Sequence, residues 1–404
     1  MRLLLIALLI VSFTSCKDKN SGYEEIQPLP VHNNGKQYAG SRVCAECHED
    51  IYEQHIKNAH FKTSYLANAD NVPGASIEDN VLKLYDARLF ITEEDDHLIQ
   101  TAYSFPEGEK LSVDTMQITI GSGVKGQSFL SWDGDKLYQL QTSYYVPEHA
   151  WINSPNYSKF YIKDERAVTD QCLKCHVTYA TNDRENGMSN SYTGRQLFLG
   201  VQCERCHNPA QEHVTFHQEN PEENIGKFIT RYANMARDRR VDACAQCHSG
   251  LRVRQLQGSP FEYQIGDDLA QYSKNYQQVA SNAALDVHGN QVGLLQESAC
   301  FKATETMDCI TCHDPHKDQR GDVSSFNAVC ISCHASAKNT LTQAHQNVNG
   351  DTENCIACHM PLFPSESMKI QLEGSQNSNS VKIRTHKIAV YPQVVNIKNY
   401  IDQL

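Results

Sequence analysis

Seven times along its 404 residues the chain repeats one pattern: cysteine, two residues, cysteine, histidine. The pairs are Cys44 and Cys47 before His48, Cys172 and Cys175 before His176, Cys203 and Cys206 before His207, and Cys244 and Cys247 before His248. Three more crowd together further on: Cys309 and Cys312 before His313, Cys330 and Cys333 before His334, and Cys355 and Cys358 before His359. A shuffled chain with 16 cysteines and 18 histidines would hold roughly 0.03 such motifs. Seven are present, so the pattern is a chemical requirement. Only Cys16 and Cys300 stand outside it.

The spacing selects among cysteine chemistries. A disulfide framework has no reason to fix two intervening residues or to place histidine next. Zinc ribbons pair their Cys-x-x-Cys units, and seven cannot be paired off. A thioredoxin-like motif would occur once. Covalent haem accounts for every position: two thiols add to the two vinyl groups of a porphyrin, and the next imidazole ligates the iron. The expectation is therefore seven covalent haem c groups, held by the fourteen cysteines named above, with His48, His176, His207, His248, His313, His334 and His359 on the iron. Thioether attachment takes place outside the cytoplasm, so export is expected too.

Eleven histidines remain for the opposite axial positions. His316 lies three residues after His313, too close to cross its own ring, so it is expected to ligate a neighbouring haem. His60 follows a short amphipathic stretch with Ile51, Tyr52 and Ile56. His213 lies beyond Pro209, and His345 and His386 fall in the haem-rich C-terminal part. These five are the distal-ligand candidates, and each is weighed against an ordinary surface or core histidine. His55, His149 and His217 are left open. His32, His97 and His288 stand in polar or turn-like surroundings and read as solvated. Met360 is too near His359 to cross over. Cys300 reads as an inert free thiol sooner than a ligand.

At the N-terminus, Arg2, the apolar run Leu3 to Phe13 and Thr14-Ser15-Cys16 read as an export signal over 1–16. The run is too short to span a bilayer. Its end suits a lipoprotein signal with lipidation at Cys16; an ordinary secretory signal with Cys16 incidental is the alternative. The mature protein would then be anchored to a membrane by lipid, on the periplasmic side or the cell surface, with the outer membrane expected. Formal net charge is −12 and becomes more negative once Arg2 is removed. Such a chain is repelled by phosphates, so nucleic acid is not an expected partner. Redox proteins or a quinol-linked donor are.

Hydrophobic residues make up 40% of the chain and mean hydropathy is −0.53, thin for a core of this size. The expected fold is mainly α and irregular, wrapped around stacked haems, with a β-rich insert. By segment the reading is a flexible tether over 17–39, a first haem segment over 40–75, the insert over 76–165, haems two to four over 166–250, a connecting segment over 251–308, haems five to seven over 309–365, and a tail with a distal ligand over 366–404. The insert rests on strand-forming runs such as Leu89–Thr92 and Leu98–Thr101. It rests most on Gln127–Trp132 and Asp135–Leu140, which flank Asp133-Gly134, a hairpin signal.

These residues resemble the multihaem cytochromes related to the cytochrome c-554 family. Ser41-Arg42-Val43-Cys44 through His60 is similar to that family's opening haem segment, in which the later histidine is a distal ligand. His55 stands where the family often has tryptophan, which favours His60. Gly121 to Trp132, Leu137 to Leu140 and Ser154 to Tyr157 resemble the β insert of those relatives. Cys203 to His213 and Cys309 to His316 match similarly, and Thr385-His386-Lys387-Ile388 resembles a C-terminal distal-ligand segment. The resemblance covers most of residues 40 to 390. It implies a haem protein but no particular reaction.

Two functions compete. One is a carrier with mostly bis-histidine haems, passing single electrons between a membrane donor and a terminal acceptor. The other is an oxidoreductase acting on a small nitrogen or sulfur compound at one haem with an open face. The lysine-ligated class of nitrite reductase is disfavoured, because no Cys-x-x-Cys-Lys occurs. A sensor or haem reservoir fits least, since seven haems exceed what sensing needs and covalent haem cannot be handed on.

Overall fold

A computed structural model describes residues 27–76, 80–162, 166–251, 253–275, 285–334, 345, 354–373, 375 and 377–392. The signal segment with Cys16, and residues 17–26 of the segment read as a tether, lie outside the described residues. Residues 27–39 pack onto the body, with His32, Tyr38 and Ala39 buried, so that part is no free linker.

Helix α1 (Ser41–His55) carries the first motif and breaks at His48 (φ −123°, ψ 42°). The strands that follow are β1 (Ser64–Leu66), β2 (Val81–Lys83), β3 (Ala87–Glu94), β4 (His97–Ser104), β5 (Lys110–Met116), β6 (Ile118–Ile120), β7 (Gly126–Asp133), β8 (Lys136–Tyr145), β9 (Ala150–Asn153) and β10 (Arg166–Ala167). They form two antiparallel sheets: β2-β3-β4-β5, and β1-β6-β7-β8-β10 with β9 also on β8.

Alternation along β7 and β8 sends neighbouring side chains to opposite faces. Phe129, Leu140 and Tyr144 join Leu89, Ile91, Leu98 and Met116 in a core shared with the four-stranded sheet. Leu130 and Leu137 face the other way, onto Tyr179, Tyr192, Phe198 and Phe261. The larger sheet is therefore buried on both faces. The β7–β8 hairpin pairs Asp133 with Lys136, so its two-residue loop is Gly134-Asp135, one position later than the Asp-Gly signal suggests. Gly134 supplies the left-handed conformation (φ 58°) at the first loop position, as a type II′ turn requires.

Beyond residue 167 short helices alternate with hairpins. Helix α2 (Asp170–Leu173) leads into strands β11 (Val177–Asn182) and β12 (Tyr192–Leu199), then helices α3 (Cys203–His207), α4 (Gln211–Glu219) and α5 (Arg237–His248). Strands β13 (Val253–Gln255) and β14 (Ser273–Asn275) pair around α6 (Leu269–Tyr272). Helices α7 (Gln291–Gln296), α8 (Ala299–Ala303), α9 (Val323–His334) and α10 (Cys355–His359) follow, and strands β15 (Leu362–Ile370) and β16 (Asn379–Arg384) make a last hairpin. None of these described helices is long and apolar enough to cross a membrane.

The expectation of a mainly α and irregular fold is overturned: helix and strand take nearly equal shares, about 30% and 29%. Each haem motif fixes only about one helical turn, whereas strands extend outside the insert into three further hairpins.

Candidate haem-binding sites

One turn of helix brings positions i, i+3 and i+4 to the same face, and those are the two cysteines and the histidine of each motif. The third and seventh motifs are helices of that length, Cys203–His207 and Cys355–His359. The fourth and sixth end longer helices at His248 and His334. The fifth opens on a 3-10 turn, Cys309–Thr311, closed by a reciprocal cap between Asp308 and Thr311. All fourteen motif thiols are free of disulfides.

Two imidazoles bound to one metal from opposite sides, each nitrogen about 2.0 Å from it, have ring centroids about 6.3 Å apart. Four pairs that include a motif histidine stand at that spacing. His207 and His316 are 6.2 Å apart and nearly parallel, at 8°. His313 and His386 are 6.2 Å apart at 28°. His60 and His248 are 6.1 Å apart, as are His345 and His359. Each pair joins one motif histidine to one histidine from elsewhere in the chain.

The tautomers suit ligation. A carbonyl that accepts from Nδ1–H leaves Nε2 free for a metal. His207 Nδ1 meets Thr230 O at 2.9 Å, and His359 Nδ1 meets Ala389 O at 2.9 Å. His248 Nδ1 meets Gln291 Oε1 at 3.1 Å. Burial pushes His60 and His386 down to about 4, and lowers His176, His207 and His313 for the same reason. Neutral imidazole is the form that binds metal.

The other histidines separate by their partners. His55 also lies 6.4 Å from His316, but both its nitrogens are engaged, Nε2 with Val201 O at 3.1 Å and Nδ1 with the Asn58 amide at 3.0 Å. Hydrogen bonds therefore hold both sides of its ring. His213 rests against His217 at 4.6 Å and gives its Nδ1–H to Lys227 O at 2.7 Å. That bond leaves the Nε2 of His213 available to a metal, as in His207. His32 is buried, not solvated, with Nε2 3.0 Å from Phe261 O. His288 is also withdrawn from solvent: burial lowers its pKa, and its charge would lower that of His176. The reading of His288 as solvated, taken from the turn composition of His288-Gly289-Asn290, does not hold. His48 and His334 are exposed.

Cysteines from different motifs also meet. Cys44 hydrogen-bonds Cys203, which raises its pKa, and Cys244 is raised in the same way by Cys309. Cys175 lies against Cys247, and Cys330 is raised by burial and by its neighbour Cys355. The first motif thus adjoins the third, the fourth adjoins the second and the fifth, and the sixth adjoins the seventh. His316 ties the fifth motif's loop to the third, and His60 ties the first segment to the fourth. Thiols on one helical face, imidazoles at the bis-axial spacing and free Nε2 atoms together fit haem c.

Comparisons with known proteins agree. The family described as "Cytochrome c554 and c-prime" matches residues 142–208, and the doubled CXXCH motif matches residues 302–339. A protein described as multiheme cytochrome MtrA, from Shewanella baltica (strain OS185), is 27% identical over 197 residues, 47% of this chain and 52% of that protein. The chain thus spans about half the length of this curated relative. Among solved structures, the outer cell wall cytochrome OcwA superposes with a TM-score of 0.55 at 14% identity, over 90% of this chain and 82% of that one. That likeness concerns the fold.

Proposed function

Because the chain is a multihaem c-type cytochrome related to the cytochrome c554 family, we propose that it is an exported carrier of single electrons with seven covalent haems. Bound haem supplies a reversible one-electron change at iron. The observation that carries the reading is the set of four imidazole pairs at 6.1–6.2 Å. Two protein ligands on one metal leave no position for a substrate, which suits a carrier. The loops bearing His316 and His60 tie distant motifs together, which suits a chain of closely spaced redox centres.

The proposed donor is a quinol-linked membrane protein or another redox protein, and the acceptor is terminal. Lipidation at Cys16 would hold the protein on the periplasmic side or the cell surface, at the outer membrane. The acidic balance of the chain favours partners with a basic face. The names of the similar proteins, a multiheme cytochrome and an outer cell wall cytochrome, support this placement.

Electron paramagnetic resonance of the oxidised protein tests the reading. Low-spin signals are expected from every paired iron, and His316→Ala should turn the third motif's iron high-spin. A predominantly high-spin wild-type spectrum that shifts with nitrite or hydroxylamine would replace the carrier by an oxidoreductase.

A further inference from the structure

The second, third and fourth motifs converge on one backbone carbonyl, that of Lys174. Arg205 Nη2 donates to it at 3.1 Å, and Cys247 Sγ lies 3.4 Å from it. Cys175 Sγ in turn lies 3.9 Å from the carbonyl oxygen of Cys247. Lys174 sits between the cysteines of the second motif, Arg205 between those of the third, and Cys247 is the second cysteine of the fourth. The three attachment segments therefore share one small volume.

Two basic side chains are buried there: Lys174 is 8% exposed and Arg205 7%. The Arg205 guanidinium lies over the Phe261 ring, 5.1 Å from its centroid, and its Nε has no hydrogen-bond partner. Among the described residues neither side chain joins an ion pair. The adjacent Glu204 is turned elsewhere, accepting from the backbone N–H groups of Ala39, Gly40 and Ala210. Burying a charge away from a counter-ion is costly, and neither position in the Cys-x-x-Cys spacing has to be basic for haem to attach. In a chain of net charge −12, two such cations in the interior ask for an electrostatic reason.

We propose that Lys174 and Arg205 form a buried cationic centre that raises the reduction potentials of the haems held by the second, third and fourth motifs. Reduction takes one positive charge off an iron, so a fixed cation nearby favours the reduced state. In a low-dielectric interior that preference is strong and salt screens it little. These three irons then fill first. The inference rests on haem being attached at those motifs and is independent of whether the protein is a carrier or an enzyme.

Reductive titration of the full-length holoprotein, followed by visible absorbance, tests it with Arg205→Gln, Lys174→Gln, the double variant and Arg205→Lys. Intact mass is read first: a wild-type protein short of haem counts against attachment, separately from the charge. In Arg205→Gln the reduction equilibrium of the highest-potential component should fall at least tenfold, 59 mV for one electron. The double variant should fall further, and Arg205→Lys should stay near wild type. Lys174→Gln leaves the backbone carbonyl that Arg205 uses, so it reports charge without breaking that bond. Superimposable titrations in fully loaded variants overturn the proposal. So does an Arg205→Lys shift as large as that of Arg205→Gln, since shape and not charge would then matter.

Discussion

The sheets between residues 81 and 153 and the haem-bearing helices after residue 299 belong to one chain but are held in different ways. In the sheets, Leu89, Ala102, Met116, Phe129, Leu137 and Tyr144 are wholly buried, and the larger sheet is packed on both faces. Helices α9 and α10, which carry the sixth and seventh motifs, bury no residue, although α9 contains Val323, Phe326, Val329 and Ile331. The first region is stabilised by apolar side chains removed from water. The second depends on what is bonded to its cysteines and histidines.

The largest effect expected from this contrast is seen when haem is withheld. Protein produced in a host without thioether maturation should keep its sheets and lose the C-terminal helices. Limited proteolysis with mass readout should cut within residues 299–359 and spare a fragment covering 81–153. Equal digestion of both regions would show that the sheets, too, need haem.

The converse experiment strikes the sheet core. Tyr144 is wholly buried and packs edge-on against Trp151 at 5.3 Å. Tyr144→Ala should cost about 3–5 kcal/mol of stability, the range for large aromatic truncations, measured by denaturant unfolding. The low-spin haem signals of the folded variant should stay as in wild type. A changed axial signature would mean that the two regions share one core.

Legibility in the sequence divides along the same line. Haem binding is legible because bond formation fixes residue type and spacing together, so the motif points directly to its chemistry. Distal ligands are half legible: His60, His316, His345 and His386 are singled out as candidates, but which motif each one faces depends on distant chain packing. That His60 meets His248, and not a ring of its own segment, has no local signature. That His288 is partly buried has no local signature either, because glycine and asparagine after it signal a turn whichever way the ring points. Hairpins such as Val177–Asn182 with Tyr192–Leu199 were hidden for a related reason. They lie between motifs, and the motifs suggested helix and loop throughout.

A smaller effect is expected outside both regions, where the first and third motifs meet. Glu204, 3% exposed, sits between the cysteines of the third motif and accepts from Ala39 and Gly40 at 2.9 Å and from Ala210 at 2.7 Å. Gly40 is the residue that enters α1, so one carboxylate fastens the first haem segment to the third motif. Glu204→Gln removes the charge and one acceptor oxygen and should cost about 1.5–3 kcal/mol. Hydrogen exchange should speed up at the Ala39 and Gly40 amides first, while amides within β3 and β4 keep their protection. Uniform acceleration would show that the clamp is not local.

The smallest effect separates strain from contact at the β7–β8 turn. Gly134 has φ 58°, and a Cβ placed there meets nothing within 4 Å. Its carbonyl accepts from Arg195 Nε of β12 at 2.8 Å, so this turn touches the hairpin that follows the second haem motif. Gly134→Ala keeps that carbonyl and changes only the backbone preference, so a loss of about 1 kcal/mol is expected from left-handed strain. Gly134→Asn should recover part of it, because asparagine tolerates that conformation. Both variants should leave haem spectra unchanged. A loss several times larger, or a shift in the spectra, would mean that the turn transmits to the haem segments through Arg195, and the division between the two regions would have to be redrawn there.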